Sequence, residues 1–579
     1  MGPATVETPA ETHPVAAPPS PALFVRFTDA KAVLVLAAVW VLMSAAAGPV
    51  GDFPLNDDWS FGRSVCRLVE DGRFELTGWM SMTFVVQLFW GALFCVPAGF
   101  SFTALRLSTL AAGLAGIVAT YGLLRDANLR RRPAMLGGLV LAANPLYFHL
   151  SHTFMTDVPF VALATPAAVF FARSLRREKN SDLILGTLAA CGATLVRQLG
   201  VAIPIGFAMA TLVANPRRLK DTLRAVWPTM VVGGVLVGYN VGLARWHGVP
   251  ALYHLPATNL RQMLVANGVM TLGVIAANAI VALFYVGLFT LPFTLARLSQ
   301  PTILPAGTRA RGPKIAAFGV FFGLLAACGF GFAGLPLVGN VLHDGGLGPL
   351  TLRDTYLLGL THWPAVPFLH AGVAMLGALG AAVLTYALLT GLSALLSTTR
   401  EDREPRARVA WFALAVSLAF FGPIALAGFY DRYLLLLLPL TMLALASLPR
   451  PIGSAAESGG RLLRTACVAT ILVVYAGFSV AATQDYIAWN RARWAATRWL
   501  VDERGVSPSR IDGGAEVNGW YLYRPEYQAQ PAKSWWWVED DEYLLAFGPV
   551  DGYAEQKAVG FTRWLPPGKH RVVVLRRSP

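Results

Sequence analysis

Apolar stretches of about twenty residues, the length an α-helix needs to cross a bilayer, recur along almost the whole chain. In lipid, a spanning segment must bond its own backbone N–H and C=O groups, and a helix of that length does so. Segments of this kind fall near 29–49, 80–99, 103–124, 133–150, 157–173, 182–196, 198–214, 224–243, 266–296, 315–335, 364–397, 409–429, 432–449 and 464–482. Charged residues make up only 14% of the chain, against roughly 25% in soluble domains, which excludes an ordinary soluble fold. The formal charge of +14 does not imply nucleic acid. Basic residues gather in short loops between apolar segments, as cytoplasmic loops of membrane proteins do.

That charge pattern tests the topology. If the N-terminus is inside and 80–99 does not cross, twenty-three basic residues fall in inner loops and nine outside before the last 95 residues. If 80–99 crosses, every later loop reverses, against the positive-inside bias. The segment 80–99 is therefore expected to be interfacial or re-entrant, with Trp79 and Trp90 at headgroup level. About thirteen spans follow, with the C-terminus outside.

Three regions are expected: a disordered cytoplasmic tail over 1–28, rich in Pro, Ala and Thr; a transmembrane domain over 29–484, with an acidic first outer loop at 50–102; and a small extracytoplasmic α/β domain over 485–579. The last region carries thirteen basic and twelve acidic residues. Within it, 486–504 is predicted as an amphipathic helix, and Glu542–Phe547 and Arg571–Leu575 as strands. The first apolar run is predicted as a retained helix, since no signal-peptide pattern surrounds it. Cys66, Cys95, Cys191, Cys328 and Cys467 have no metal-ligand spacing, so neither a disulfide framework nor a zinc site is expected.

The expected outer side collects the polar residues able to do chemistry. Asp57 and Asp58 lie in Leu55-Asn56-Asp57-Asp58-Trp59. A carboxylate there could act as general base on an acceptor hydroxyl or hold a divalent cation against a phosphate; it could equally cap the run Ser60–Leu68. Asp157 could be a site acid or a helix start with Pro159. Arg197, beside Gln198, could hold phosphate oxygens or pair with Asp157. Arg432, beside Tyr433, could do the same or pair with Asp431. His149, His152, His254, His343-Asp344 and His362 are weaker candidates. Ionisable residues at membrane depth tend to mark function.

In its acidic first loop Asn56-Asp57-Asp58-Trp59, the non-crossing segment after it, Arg106, Asn144-Pro145, Thr156-Asp157-Val158-Pro159, Arg197 and Arg432-Tyr433-Leu434 with Leu438-Pro439, the chain resembles membrane glycosyltransferases of the GT-C fold. The group is that of bacterial dolichyl-phosphate-mannose mannosyltransferases and aminoarabinose transferase-like enzymes. The resemblance implies a mainly α, polytopic helical bundle in the bacterial cytoplasmic (inner) membrane. It implies transfer of a sugar from a polyprenyl-phosphate donor to a lipid, glycan or protein acceptor on the outer face, with inversion. By analogy Asp57 is the base, Asp58 assists, and Asp157 shapes the site. Arg197 and Arg432 neutralise the donor phosphate, and His152, Gln198 and Tyr433 line the substrate site. A divalent cation, if used, would fall to Asp57, Asp58 and Asp157; no other cofactor is implied. Relatives often carry Asp-Glu where this chain has Asp57-Asp58. The alternatives are a transporter or flippase of a lipid-linked saccharide, which would need broken helices at mid-membrane, and an oligosaccharide ligase or polymerase.

Overall fold

The computed structural model describes residues 27–214, 219–265, 268–298, 311–330, 337–343, 345–360, 362, 367–397, 400–449, 458–531, 533–534 and 536–578. The expected tail over 1–26, Asp344, and the inner-loop basic residues Arg217, Arg218, Arg309 and Arg450 lie outside the described residues.

The chain opens with α1 (Phe27–Ala47), which stops where Gly48 turns left-handed (φ 68°) ahead of Pro49. The first loop then carries α2 (Asp58–Asp71) and α3 (Val85–Cys95). Next come α4 (Phe102–Asp126), α5 (Arg131–Ala142), α6 (Pro145–Ser151), α7 (Asp157–Arg177) and α8 (Asn180–Thr194). The Asn144-Pro145 pair starts α6: Asn144 Oδ1 accepts from the Tyr147 N–H at 2.9 Å, and Pro145 takes the first helical position, where no N–H is needed. The axis bends there by 63° between α5 and α6. The bundle continues through α9 (Ala202–Ala214), α10 (Leu219–Gly242), α11 (Leu255–Val265), α12 (Gly268–Arg297), α13 (Arg311–Phe330), the short α14 (Arg353–Tyr356), α15 (Pro367–Ser397), α16 (Arg400–Ala427), α17 (Leu437–Ser447) and α18 (Ser458–Arg498). At Gly287 and Gly380 the backbones of α12 and α15 touch, so a Cβ on either would collide with main chain. Small residues allow such approach where lipid supplies no hydrophobic drive between helices.

Among the described residues eight helices are long and apolar enough to cross a membrane, or nine if the bent α5–α6 pair is one span. The eleven residues of α3 reach only about 16 Å at 1.5 Å per residue, about half of a ~30 Å core. Two other short helices are lengthened: 3-10 turns at Gln198–Val201 and Asp431–Leu436 lead into α9 and α17. With about 2.0 Å rise per 3-10 residue, each combination comes to about 28 Å. Nothing extends α3, whose N-cap residue Phe84 is left-handed at φ 61°.

Residues 486–504, predicted as a separate amphipathic helix, are instead continuous with the last apolar segment. Helix α18 runs 41 residues and closes in a π-turn at Trp499–Glu503. No Gly or Pro interrupts 478–504, and the polar side chains of this part are bonded to other elements. Asp485 accepts N–H groups of Trp564 (2.6 Å) and Leu565 (3.0 Å). The following small domain is α/β, with α19 (Ala515–Leu522) and a four-stranded sheet. Its strands β3 (Ile511–Asp512), β4 (Tyr543–Ala546), β5 (Tyr553–Trp564) and β6 (Pro567–Arg577) lie in the order β3-β4-β6-β5. The pair β3–β4 is parallel and the other pairs antiparallel. The predicted strand Glu542–Phe547 contains β4, and Arg571–Leu575 falls within β6. Two short strands, β1 (Leu342–His343) and β2 (Gly346–Leu347), pair antiparallel in the late loop before α14.

The first loop is shaped from below by Arg106 on α4. Its guanidinium donates to the carbonyls of Pro49 (2.6 Å), Gly51 (3.0 Å) and Phe53 (3.0 Å). Replacing Arg106 with Met orphans three carbonyl oxygens in a buried position. We expect a loss on the order of 3 kcal/mol, read as a lower thermal midpoint of the detergent-purified protein; an unchanged midpoint would show that other donors replace the guanidinium.

Candidate functional site

Asn56 takes a left-handed conformation (φ 55°), which Asn tolerates better than most residues. This turn delivers Asp57 to the start of α2. Asp57 occupies the N-cap position yet makes no side-chain cap bond, so capping does not consume its carboxylate. One oxygen accepts the Trp79 indole N–H at 3.0 Å, and the other lies 3.8 Å from Arg432 Nη1. The side chain keeps 29% of its exposure although it sits deep in the protein. Burial pushes its carboxyl above the usual carboxylate range, opposed by the Arg432 charge and the Trp79 N–H. Trp79, expected at headgroup level, is thus a partner of the acid; Trp90 donates to the Ser108 carbonyl at 2.9 Å.

Asp58 has a different environment. It is buried, and its two oxygens accept backbone N–H groups of Phe154 (2.7 Å) and Leu55 (3.3 Å). It clasps the first loop to the segment between α6 and α7. Burial pushes it up to about 8, against the pull of Arg106 and the two N–H bonds. Both oxygens are already engaged, so Asp58 is poorly placed to assist a base.

Asp157 opens α7, whose N-cap residue Thr156 makes no side-chain cap bond. Its carboxylate instead forms a buried ion pair with Arg197, from the strand-like residue ahead of the 3-10 turn before α9. The Arg197 guanidinium lies 4.9 Å from the centre of the Tyr433 ring, and that of Arg432 lies 5.5 Å from the same ring. Two cations therefore lie against one aromatic, Arg432 facing Asp57 and Arg197 paired with Asp157. The second Asp157 oxygen, and Nε and Nη1 of Arg432, are buried without a hydrogen-bond partner. Asp431 does not pair with its neighbour's guanidinium. It accepts the N–H groups of Val341 (3.0 Å), Leu342 (2.5 Å) and Arg432 (2.7 Å), pinning the late loop.

The remaining candidates are held locally. His152 Nδ1 bonds the Phe148 carbonyl at 2.8 Å, one turn back in α6, and Gln198 donates to the Ser81 carbonyl at 2.9 Å. His149 packs edge-on against Tyr486, and His362 pairs with Asp354 at 2.8 Å. The trio Asp57, Asp58 and Asp157 does not gather as a metal site. Asp58 is spent on amides and Asp157 on Arg197, and among the described residues no three His, Cys, Asp or Glu side chains converge. With only single carboxylates available, the residues present do not make a cation site.

Sequence reasoning missed the polar knot beside the loop. Arg493 on α18 and Glu516 on α19 form an ion pair at 2.6 Å with both side chains fully buried. Arg493 also bonds Thr351 Oγ1 at 3.0 Å, and Glu516 Oε1 accepts the Asn56 N–H at 3.3 Å and the Tyr486 hydroxyl at 3.4 Å. The available signal was the spacing of Tyr486, Asn490, Arg493 and Thr497, which sets one polar stripe along a helix. A second seam joins the same parts. Trp59 packs among Trp79, Tyr523 and Trp537 with ring centres 5.1–6.0 Å away, and it lies so close to Gly519 that no Cβ would fit there.

Residues 82–241 match the family model described as dolichyl-phosphate-mannose-protein mannosyltransferase. No curated protein matches the chain. Among solved structures, it is similar to ArnT from Cupriavidus metallidurans bound to undecaprenyl phosphate (13% identity, 94% of this chain and 97% of that one, TM-score 0.41). It is similar also to the Archaeoglobus fulgidus oligosaccharyltransferase in complex with Zn and sulfate (13%, 87% and 59%, TM-score 0.43). A third is the arabinosyltransferase EmbB from Mycobacterium smegmatis (14%, 84% and 44%, TM-score 0.34). At TM-scores below 0.5 these likenesses carry no conclusion about the site. The matched segment holds Asp157 and Arg197, whereas Asp57 and Arg432 approach from outside it. The resemblance read from the sequence is met to this extent: residues 82–241 match the family model whose description is dolichyl-phosphate-mannose-protein mannosyltransferase.

Proposed function

We propose that the chain is a membrane glycosyltransferase that moves a sugar from a polyprenyl-phosphate donor to an acceptor hydroxyl at the outer face of a bacterial cytoplasmic membrane. The proposal includes thirteen crossings and the small α/β domain on the outer side. The observation that carries it is the facing pair of Asp57 and Arg432, a half-buried carboxylate 3.8 Å from a guanidinium whose Nε and Nη1 lack acceptors. The carboxylate takes the proton of the acceptor hydroxyl as its oxygen bonds to the anomeric carbon. The bond from that carbon to the phosphate oxygen breaks, and the polyprenyl phosphate leaves with the electron pair. A single displacement of this kind inverts the anomeric centre.

Charge develops on the leaving phosphate, so a fixed cation there acts where it lowers the barrier. Arg432 is the better candidate for this role than Arg197, because the Asp157 carboxylate already neutralises Arg197. Arg197 then holds Tyr433, and through it Arg432, in place. The raised Asp57 carboxyl is a stronger base than an ordinary Asp.

The reading is tested with purified protein and a panel of polyprenyl-phosphate sugars, following free polyprenyl phosphate. Acceptor-dependent release supports a transferase; saturable lipid binding with no release from any donor would support a transporter instead. Asp57→Asn should lower turnover by about 10²–10⁴-fold with the fold intact. Turnover requires ionised Asp57, so it should fall as pH drops through an acid limb above the normal carboxylate range. Asp58→Asn should instead lower the thermal midpoint, since an amide can accept only one of the two N–H groups, at a cost of about 1–3 kcal/mol. Arg432→Ala should weaken binding of undecaprenyl phosphate by about 10–100-fold, the equivalent of ~1.5–3 kcal/mol for a charged hydrogen bond. A larger loss in Arg197→Ala would move the phosphate to Arg197.

A further inference from the structure

Beside the proposed base, the C-terminal domain bonds a backbone atom of the first loop. Glu516 Oε1 accepts the N–H of Asn56 at 3.3 Å, and Asn56 is the left-handed residue (φ 55°) that turns Asp57 into the site. The Glu516 side chain is fully buried and ion-paired with Arg493 on α18 at 2.6 Å. Tyr486 and Thr351 bond the same carboxylate. A carboxylate held by a guanidinium and two hydroxyls has little freedom to follow a moving loop, so it fixes the amide it accepts.

We propose that Glu516 is a positioning residue for Asp57: the C-terminal domain, through the Glu516–Arg493 pair, sets the Asn56 turn and thereby aims the Asp57 carboxylate at Arg432. The inference rests on the reading of Asp57 as the base. It assigns the domain a defined part in turnover, distinct from acceptor binding. The anchor is also electrical. The charged and titratable groups facing Asp57 are Arg432, Glu516, Asp157 and the adjacent Asp58, together with the Trp79 N–H. Of these, the Glu516 charge helps hold the Asp57 carboxyl up.

Two variants of the full-length protein test it. Glu516→Leu with Arg493→Met removes the anchor and leaves no unpaired buried charge, an exchange that ion pairs often tolerate. Hydrogen exchange at the Asn56 amide should accelerate at least tenfold while the α2 amides stay protected. Turnover with the polyprenyl-phosphate sugar that the wild type uses should fall at least tenfold at unchanged donor KM. Glu516→Gln keeps an acceptor oxygen for the Asn56 N–H but removes the charge. It should retain protection at Asn56, and the acid limb of its pH–rate profile should shift to lower pH, since Asp57 then ionises more readily. Wild-type exchange at Asn56 in the double variant would overturn the inference. So would wild-type turnover there while Asp57→Asn is inactive. If the double variant does not fold, loss of protection at Asn56 in Glu516→Gln with wild-type turnover overturns it, since the turn is then shown not to matter to the base. An active Asp57→Asn protein would instead overturn the underlying assignment of the base, whatever the exchange data give.

Discussion

The guanidinium of Arg432 is a cation buried among apolar helices, and the arrangement around it follows from the cost of keeping it there. A buried charge is tolerated only when paired or solvated by dipoles. Here the compensation comes from Asp57 at 3.8 Å and from the face of Tyr433. The same ring lies against Arg197, itself paired with Asp157. Four distant stretches of chain are thereby committed to one point: the first loop, the start of α7, the entry to α9 and the turn before α17. The Arg432 donors left without acceptors are what a phosphate would satisfy.

The first loop stays in position because each of its ends is fixed by backbone bonding. Arg106 gathers the carbonyls of Pro49, Gly51 and Phe53 from below, and Asp58 clasps the N–H of Phe154. Glu516 holds the N–H of Asn56 from above. With three anchors in place, the adjacent pair is split: Asp58 is committed to backbone N–H groups and Asp57 is not. The long helix α18 makes the last anchor possible. Because 478–504 contains no helix breaker, one rigid element carries Arg493 from the bundle to Glu516.

Much of this was legible in the sequence. Apolar runs and basic loops point to a membrane bundle and to a short segment after the acidic loop that does not cross, and α3 is eleven residues long. Asp57, Asp157, Arg197 and Arg432 could be collected because ionisable groups are rare in such a chain, and the structure brings them around Tyr433. The division of labour between Asp57 and Asp58 was not legible. Adjacent carboxylates look alike until the N–H groups of Phe154 and Leu55 are seen to occupy one of them. Among the described residues no three such side chains converge on a cation site, and Asp58 is taken up by the same two N–H groups. The Glu516–Arg493 knot joins residues 23 positions apart to an amide 460 positions away, and no local pattern encodes that pairing. The helix expected over 486–504 is present; its continuity with the last apolar segment was not read, because polarity changes there while a helix ends at backbone signals.

The most direct test of the account is a cryo-electron microscopy structure in lipid nanodiscs with undecaprenyl phosphate. The account predicts the lipid phosphate against the Arg432 guanidinium, within hydrogen-bonding distance of Nη1 or Nε, with Asp57 facing it and the Arg197–Asp157 pair intact. A phosphate bound elsewhere, with Arg432 still turned to Asp57 alone, would contradict the assignment of this cluster as the donor site.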